Sequence, residues 1–312
     1  MNLLIQKNRI KWALSLCFCL LWSTAVTALS ASVHDLDLMG LGYFAGALGL
    51  HEAVTAKPQN PSAGLYNPAG LQGISKTTVQ SMQNGLGDGI GLFALNGVLP
   101  IGKDWTLGLT WMELQVTDIP LTPTENASLN TDIAPNAWST YGAHAVVGSV
   151  AYAVNAQCSV GLSGIGFIKS MTNVEQGRSY GLGLTPGIQY QLASETTLGA
   201  HLKNALSYTH WETGTAETFE RIAVVGLAQQ LGDFTVYTQW DMALSNLRGI
   251  TGSIAADYTF ANMIVFRAGA GATHLTGGLG LTWQGFSIDY AYVGSSAVRY
   301  QDGSRLMVGI QL

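Results

Sequence analysis

Alternation of large apolar residues with small or polar ones governs the chain from Thr77 to Leu312. Over 179–192, Tyr180, Leu182, Leu184, Ile188, Tyr190 and Leu192 fall on one side, and Gly181, Gly183, Thr185, Gln189 and Gln191 on the other. Trp105, Leu107, Leu109 and Trp111 alternate with Thr106, Gly108 and Thr110. Phe286, Ile288, Tyr290 and Tyr292 alternate with Ser287 and Asp289, and Leu306, Val308, Ile310 and Leu312 with Arg305, Gly309 and Gln311. A period of two sends successive side chains to opposite faces of a β-strand. About fourteen such runs can be drawn, at 77–84, 89–101, 104–116, 139–154, 158–171, 179–192, 196–206, 219–231, 234–244, 249–260, 263–273, 275–284, 286–294 and 304–312. Pro100 closes a run; Pro186, inside one, predicts a bulge or kink.

The connections sort by length. Gly102-Lys103, Asn155-Ala156-Gln157, Ala193-Ser194-Glu195, Gly232-Asp233, Ala261-Asn262 and Gly285 are tight turns, whereas the intervening connections include Thr117 to Trp138, Thr172 to Arg178, Ser207 to Thr218 and Ser295 to Gly303. Short turns at one rim and longer loops at the other predict an antiparallel transmembrane β-barrel of fourteen strands. Trp105, Trp111, Tyr180, Tyr190, Trp240, Tyr258, Phe266, Phe286, Tyr290 and Tyr292 lie on the apolar faces, as interfacial girdles require.

Composition separates this barrel from a soluble sandwich. Only 11% of residues are charged and 47% are hydrophobic, against about a quarter charged in soluble domains. The outward Lys and Glu that a soluble sheet needs are missing. A helical membrane protein would need runs of about 20 apolar residues. The nearest, Trp12 to Val26, follows Lys7, Arg9 and Lys11 and leads into the small residues of Ala25 to Ala31. That is the build of a secretory signal peptide cleaved after Ala28 or Ser30. The expected plan is therefore a signal peptide at 1–30, an inner segment at 31–76 and a barrel at 77–312, exported to the outer membrane with the lipid bilayer as its first partner. A net charge of −5 without a basic cluster argues against nucleic acid. Cys17 and Cys19 leave with the signal peptide, so Cys158 is left alone, with no disulfide and no metal-ligand spacing.

Between the signal peptide and the strands lies a Gly- and Ala-rich stretch, Gly40 to Leu71, holding Gly46-Ala47-Leu48-Gly49-Leu50 and closing on Asn67-Pro68-Ala69-Gly70-Leu71. It resembles the start of the FadL-like outer-membrane transporters and their PorV-like relatives of type IX secretion, which carry a Gly/Ala-rich run, a variable stretch and then Asn-Pro-Ala-Gly-Leu before the first barrel strand. Many relatives have an acidic pair between the two parts, where this chain has Lys57-Pro58-Gln59-Asn60-Pro61. The resemblance implies that 31–76 is a plug, with Asn67, Pro68, Ala69, Gly70 and Leu71 as its motif. It also implies uptake of a hydrophobic ligand, a fatty acid or hydrocarbon, past that plug and often sideways through a kinked wall. Leu48, Leu50, Val54, Leu65, Trp111 and Leu114 are then candidates for the ligand path, with Pro186 a candidate wall defect. PorV-like kinship implies instead a non-transporting barrel that binds secretion-system or surface-attachment proteins.

A few ionisable residues lie on the polar faces: His201, Lys203, Asp241, Asp257, Arg267 and Asp289. A charge facing lipid near the midplane costs several kcal/mol, so these side chains should face the lumen. There they either meet a ligand head group or brace the interior, with Arg267 able to fork to two carboxylates. Catalysis is not expected. No Gly-x-Ser-x-Gly elbow is present, and His34, His51, His144, His201, His210 and His274 are scattered without a shared motif. Neither a cofactor fingerprint nor a metal motif is found.

Overall fold

The computed structural model describes residue 38 and residues 41–58, 60–85, 89–121, 137–245, 249–272, 274–295 and 303–312. The expected signal peptide, His34 and residues 122–136 of the expected connection Thr117 to Trp138 lie outside the described residues. The strands are β1 (Thr78–Gly85), β2 (Ile90–Ile101), β3 (Trp105–Leu121), β4 (Ala137–Ala153), β5 (Cys158–Met171), β6 (Arg178–Ala193), β7 (Thr196–Lys203) and β8 (Leu206–Trp211). They continue with β9 (Ala216–Glu217), β10 (Ile222–Leu231), β11 (Phe234–Ala243), β12 (Ile250–Phe260), β13 (Ile264–Gly271), β14 (His274–Trp283), β15 (Phe286–Ser295) and β16 (Gly303–Gln311). All pairings are antiparallel, and β16 returns to β1 through Thr78↔Gln311 to Met82↔Met307, so the sheet closes. β7 and β8 are two parts of one stave, as are β9 and β10, which makes a closed fourteen-stranded barrel. Closure pairs every edge that an open sheet would expose.

The alternation sorts as predicted, and its sense is inverted relative to a soluble protein. Leu182 is 66% exposed on the outer face of β6, while its neighbour Ser179 on the inner face is 1% exposed. Leu107, Leu109, Val146, Ile168, Phe266, Leu279 and Ile288 likewise project outward. Such a surface is unfavourable in water and suits hydrocarbon. At the tight-turn rim, Trp105 pairs with Tyr152 and Phe234 with Tyr258, with ring centroids 4.6 and 4.5 Å apart. Aromatic side chains with one polar tip favour this interfacial level. Among the described residues, no helix is long and apolar enough to cross a membrane.

The wall is uneven in height. β3 and β4 each run 17 residues and β6 runs 16, whereas β11, β14 and β15 run 10. A tilted strand needs about 9–11 residues to cross hydrocarbon, so the tall staves continue beyond it on the side of the long connections. The expected loop Ser207 to Thr218 is correspondingly short. β8 carries on to Trp211, and β9 returns after a turn in which Gly214 takes φ +85°, a region closed to most side chains.

The tall side also holds the main flaw in the wall. β6 pairs with β8 as far as Leu184↔Leu206 and with β7 from Gly187↔His201, so Thr185 and Pro186 stand opposite residues 202–205. Proline has no N–H to give a ladder, and the kink predicted at Pro186 falls here. Between the next two staves the ladder stops at Lys203↔Ile222 and resumes at Thr209↔Glu217. Side chains bridge that gap: Asn204 Nδ2 donates to Glu220 O (3.0 Å), and Phe219 N donates to Ser207 Oγ (2.9 Å).

Residues 41–58 and 60–76 pack inside the barrel. They form two single-turn helices, α1 (Ala45–Leu48) and α2 (Ala63–Tyr66), followed by a 3-10 helix over Pro68–Gly73. Tyr43, Phe44, Leu48, Leu50 and Val54 share one buried cluster with Met82, Leu92, Met112, Leu114 and Val147 from the inner wall.

Candidate functional site

The Asn67 to Leu71 motif is a joint between inner segment and wall. Asn67 is extended (φ −155°, ψ 105°), and its Oδ1 accepts from Ala69 N at 3.2 Å, which caps the 3-10 helix. Its Nδ2 donates to Thr55 O at 2.8 Å and to Ile188 O of β6 at 3.0 Å. One side-chain amide thus ties two passes of the segment to the barrel. Pro68 occupies the first helical turn, where no N–H is required. The fit at Ala69 is close: Ser159 Oγ donates to Ala69 O at 3.0 Å, and a Cβ added to Gly161 would lie 2.4 Å from Ala69 N. A Cβ on Gly187 would lie 2.2 Å from Asn67 Oδ1. Leu71 is fully buried in a satellite cluster with Ala63, Ile74, Val98 and Ala151. The wall adds Gln189 Nε2 to Ala56 O (2.6 Å), Ser163 Oγ to Gly64 O (2.5 Å) and Gln239 Oε1 accepting from Thr55 N (3.2 Å).

The first part of the segment meets the opposite wall. Arg305 of β16, 1% exposed, donates from Nε to Gly42 O (3.1 Å) and from Nη2 to Leu41 O (3.2 Å). His51 rests in a notch made by Gly269 and Gly271, and its ring lies 4.1 Å from that of His274. Burial, with His274 beside it, lowers the His51 pKa to about 4. Next to it, Tyr66 donates its hydroxyl to Glu52 at 2.7 Å. Burial raises the Glu52 carboxyl above its usual range, with the Tyr66 hydrogen bond opposing that shift.

The six polar candidates face the lumen in two groups rather than one. Arg267 pairs with Asp289 at 2.7 Å, while Asp257, the cross-strand neighbour of Arg267, accepts the Tyr237 hydroxyl at 2.7 Å. Around Thr55, His201 Nδ1 lies 3.4 Å from Thr55 Oγ1 and Gln239 Nε2 donates to Asp241 Oδ1 at 3.0 Å; Lys203 is close enough for its charge to act on Glu52. Among the ligand-path candidates, Leu48, Leu50, Val54 and Leu114 are buried in the main cluster, and Leu65 packs against it. Trp111 does not belong with them. It shares the outward parity of Trp105, Leu107 and Leu109, is 40% exposed, and meets Phe93 edge-on at 5.1 Å.

Beside Arg267, a cavity lined by Gly46, Leu50, Val54 and Lys57 has about 20 Å³ of space, room for about one water. A larger, mostly apolar groove of about 570 Å³ lies at the broken wall, lined by Gly164, Gly166, Leu182, Leu184, Leu206, Tyr208 and Arg221. Sequence reasoning gave no role to Arg305, Glu52, Tyr66 or Lys169. Parity alone places Arg305 and Lys169 inward, but nothing in the sequence says what they meet. Cys158 is a free thiol, and among the described residues no three His, Cys, Asp or Glu side chains are grouped to hold a metal.

A closed antiparallel barrel of this kind has known structural counterparts. No protein-family model matches the chain, and no curated protein matches it. Among solved structures, the Ralstonia pickettii toluene transporter TbuX superposes with a TM-score of 0.65 at 15% identity, covering 89% of this chain and 99% of that one. The P. putida toluene transporter TodX gives 0.64 at 14% identity, covering 88% and 99%. A Pseudomonas aeruginosa FadL homologue gives 0.52 at 15% identity, covering 86% and 96%. The chain therefore has the fold of the FadL-like transport barrels.

Proposed function

We propose that this chain is an outer-membrane transporter of small hydrophobic molecules, exported under a cleaved signal peptide at 1–30, with 31–76 acting as its plug and 77–312 as its barrel. The observation that carries this reading is the interrupted wall between residues 204–208 and 218–221, lying beside a 570 Å³ apolar groove on the lipid side. A nonpolar solute that left the lumen there would enter hydrocarbon without crossing water, a favourable course throughout. The toluene transporters of the same fold support a ligand of that class, and a fatty-acid-like ligand is the longer-chained version of the same reading. Ligand would pass only after the inner segment shifts, since the lumen around it is packed.

That packing favours one other reading, a non-transporting PorV-like barrel that presents its outer rim to secretion or surface-attachment proteins. Proteoliposome uptake of radiolabelled toluene and laurate separates the two. The informative variant carries Asn204→Cys and Glu220→Cys in a Cys158→Ser background, so that a disulfide closes the gap. Transport through the wall predicts uptake by the reduced protein and its loss on oxidation. Uptake that ignores the disulfide would dismiss the lateral route; absence of uptake, with a protein partner retained on purification, would favour the adaptor.

A further inference from the structure

On the outer face of the tall staves, two neighbouring rungs run Gly166↔Leu182↔Tyr208 and Gly164↔Leu184↔Leu206 across β5, β6 and β8. Leu182, Leu206 and Tyr208 are exposed there, as are Leu162 and Ile168 along β5. Gly164 and Gly166 therefore leave two side chains missing from an apolar outer wall. A Cβ added at Gly166 would lie 3.7 Å from Leu182 Cδ2, and one at Gly164 would lie 3.6 Å from Leu184 Cδ2, so larger residues would begin to fill the hollow. The hollow is the groove of about 570 Å³, and it continues past β8 to Arg221 across the break in the wall. Val224, paired with His201, faces the lumen, so Arg221, of the opposite parity, faces outward, and it is exposed. Among the described residues no carboxylate pairs with its guanidinium. The adjacent Glu220 carboxylate accepts from Ser245 Oγ instead.

The height of Arg221 decides what meets it. It directly precedes the 10 residues of β10, whose other end reaches the tight-turn rim marked by Phe234 and Tyr258. At about 3.3 Å per residue and a tilt of about 45°, those residues climb roughly 23 Å, and the apolar band of such a barrel is about 25 Å tall. The guanidinium thus stands at the outer edge of the hydrocarbon, where a charge on the lipid side is tolerated. The rings beside the groove agree with that height. His210 lies between Tyr180 and Tyr208 on the outward face, with centroids 5.4 and 6.4 Å away, a group of the kind found at head-group level. An apolar hollow within the hydrocarbon, ending on an unpaired guanidinium at its edge, complements an acyl chain that carries a phosphate, to which arginine can fork two N–H groups. We propose that this groove binds a phosphate-bearing lipid of the outer leaflet, with an acyl chain over Gly164 and Gly166 and the phosphate on Arg221. Such a lipid covers the break that Asn204 and Ser207 bridge from within the wall. The inference needs the barrel to sit in an outer membrane and does not need it to transport anything.

Native mass spectrometry of the purified barrel in detergent, titrated with monophosphoryl lipid A or dioleoylphosphatidylcholine, tests the site. One lipid A is expected to bind at least ten-fold more tightly than phosphatidylcholine, whose phosphate is neutralised by its own choline. Arg221→Gln should remove most of that difference, and Gly166→Leu, which fills the hollow, should weaken lipid A several-fold. Heat-modifiable electrophoretic mobility confirms that each variant is assembled, and Arg221→Gln decides the matter if Gly166→Leu does not assemble. Equal retention of the two lipids, or lipid A binding that Arg221→Gln leaves unchanged, would reduce the groove to ordinary lipid contact and overturn the site. Displacement of lipid A by an equal concentration of laurate would give the groove to the ligand path instead, and displacement by inorganic phosphate would show that the chain adds nothing; either result overturns the proposal. Lipid A retained by a barrel that takes up no toluene in liposomes would leave the site standing and sink the transporter reading, and uptake without a retained lipid would do the opposite.

Discussion

The described residues of 55–74 and residues 41–54 share one lumen but are held in it by different means. The later stretch is tied by polar bonds to β5, β6 and β11 and by backbone seated directly on Gly161 and Gly199. The earlier stretch relies on apolar packing, the hydrogen bonds of Arg305 to Leu41 and Gly42, one from Thr276 Oγ1 to Gly49 O (3.3 Å), and the seat of Leu50 and His51 on Gly269 and Gly271. Hydrogen bonds with fixed geometry specify one position, whereas apolar contact tolerates sliding. On the transporter reading proposed above, the earlier stretch, with fewer polar ties to the wall, is the part expected to move and the later one its anchor.

The comparison breaks most completely at the anchor's seat. Gly161→Val places a side chain where a Cβ alone would be 2.4 Å from the backbone N of Ala69, and backbone cannot be moved as cheaply as a flexible side chain. The expected result is a barrel whose inner segment is expelled or that fails to assemble, seen as loss of heat-modifiable mobility or of protease protection across 55–74. A Gly161→Val barrel that keeps both would remove the distinction between anchor and mobile part.

Asn67→Ala should come next. It deletes hydrogen bonds to Ala69 N and Thr55 O, both buried, and to Ile188 O, which is partly buried. With about 1–3 kcal/mol for each buried group left unsatisfied, a loss of roughly 3 kcal/mol or more is expected, read as a lowered midpoint in urea-induced unfolding from detergent. Arg305→Met is expected to act more weakly and elsewhere. It releases the carbonyls of Leu41 and Gly42, so proteolysis should speed up within 41–54 while 55–74 stays protected. Equal acceleration in both stretches would show that the inner segment moves as one body.

How far the sequence revealed this arrangement depends on range. Strict alternation determines which face each strand residue takes, so the wall, its closure and the lumen-facing polar residues could be read directly. Asn67 to Leu71 could be read because its turn chemistry is local. The break near Asn204 was signalled only by Pro186 in the neighbouring stave, and the run 196–206 gave no sign that the strand resumes to Trp211. Arg305 and Lys169 showed their parity but not their partners, which lie 263 residues away for Arg305 and Gly42 and across two neighbouring staves for Lys169 and Trp211. Trp111 fitted both an outer girdle and a ligand path by composition; parity alone should have chosen the girdle.

The smallest effect expected is also the one that best tests whether the earlier stretch can be released. His51 has its pKa lowered to about 4 in the seated segment, from an ordinary value of 6.5, by burial and by His274. Between those two values the released segment binds more protons than the seated one, so seating gains stability as pH rises through that window. The contribution is complete above about pH 6.5, fades as pH falls toward 4, and changes no further below it. Glu52 works in the opposite sense, because its raised pKa stabilises seating at low pH and that contribution is lost as pH rises through the seated-state value. The two slopes must be separated, and Glu52→Gln keeps an acceptor for Tyr66 while removing the carboxyl titration. In that background, protease cleavage within 41–54 should accelerate from pH 6.5 to pH 4, and adding His51→Gln should flatten the profile. A slope that survives without His51 would place the acid sensitivity in the wall and deny the earlier stretch its independent release.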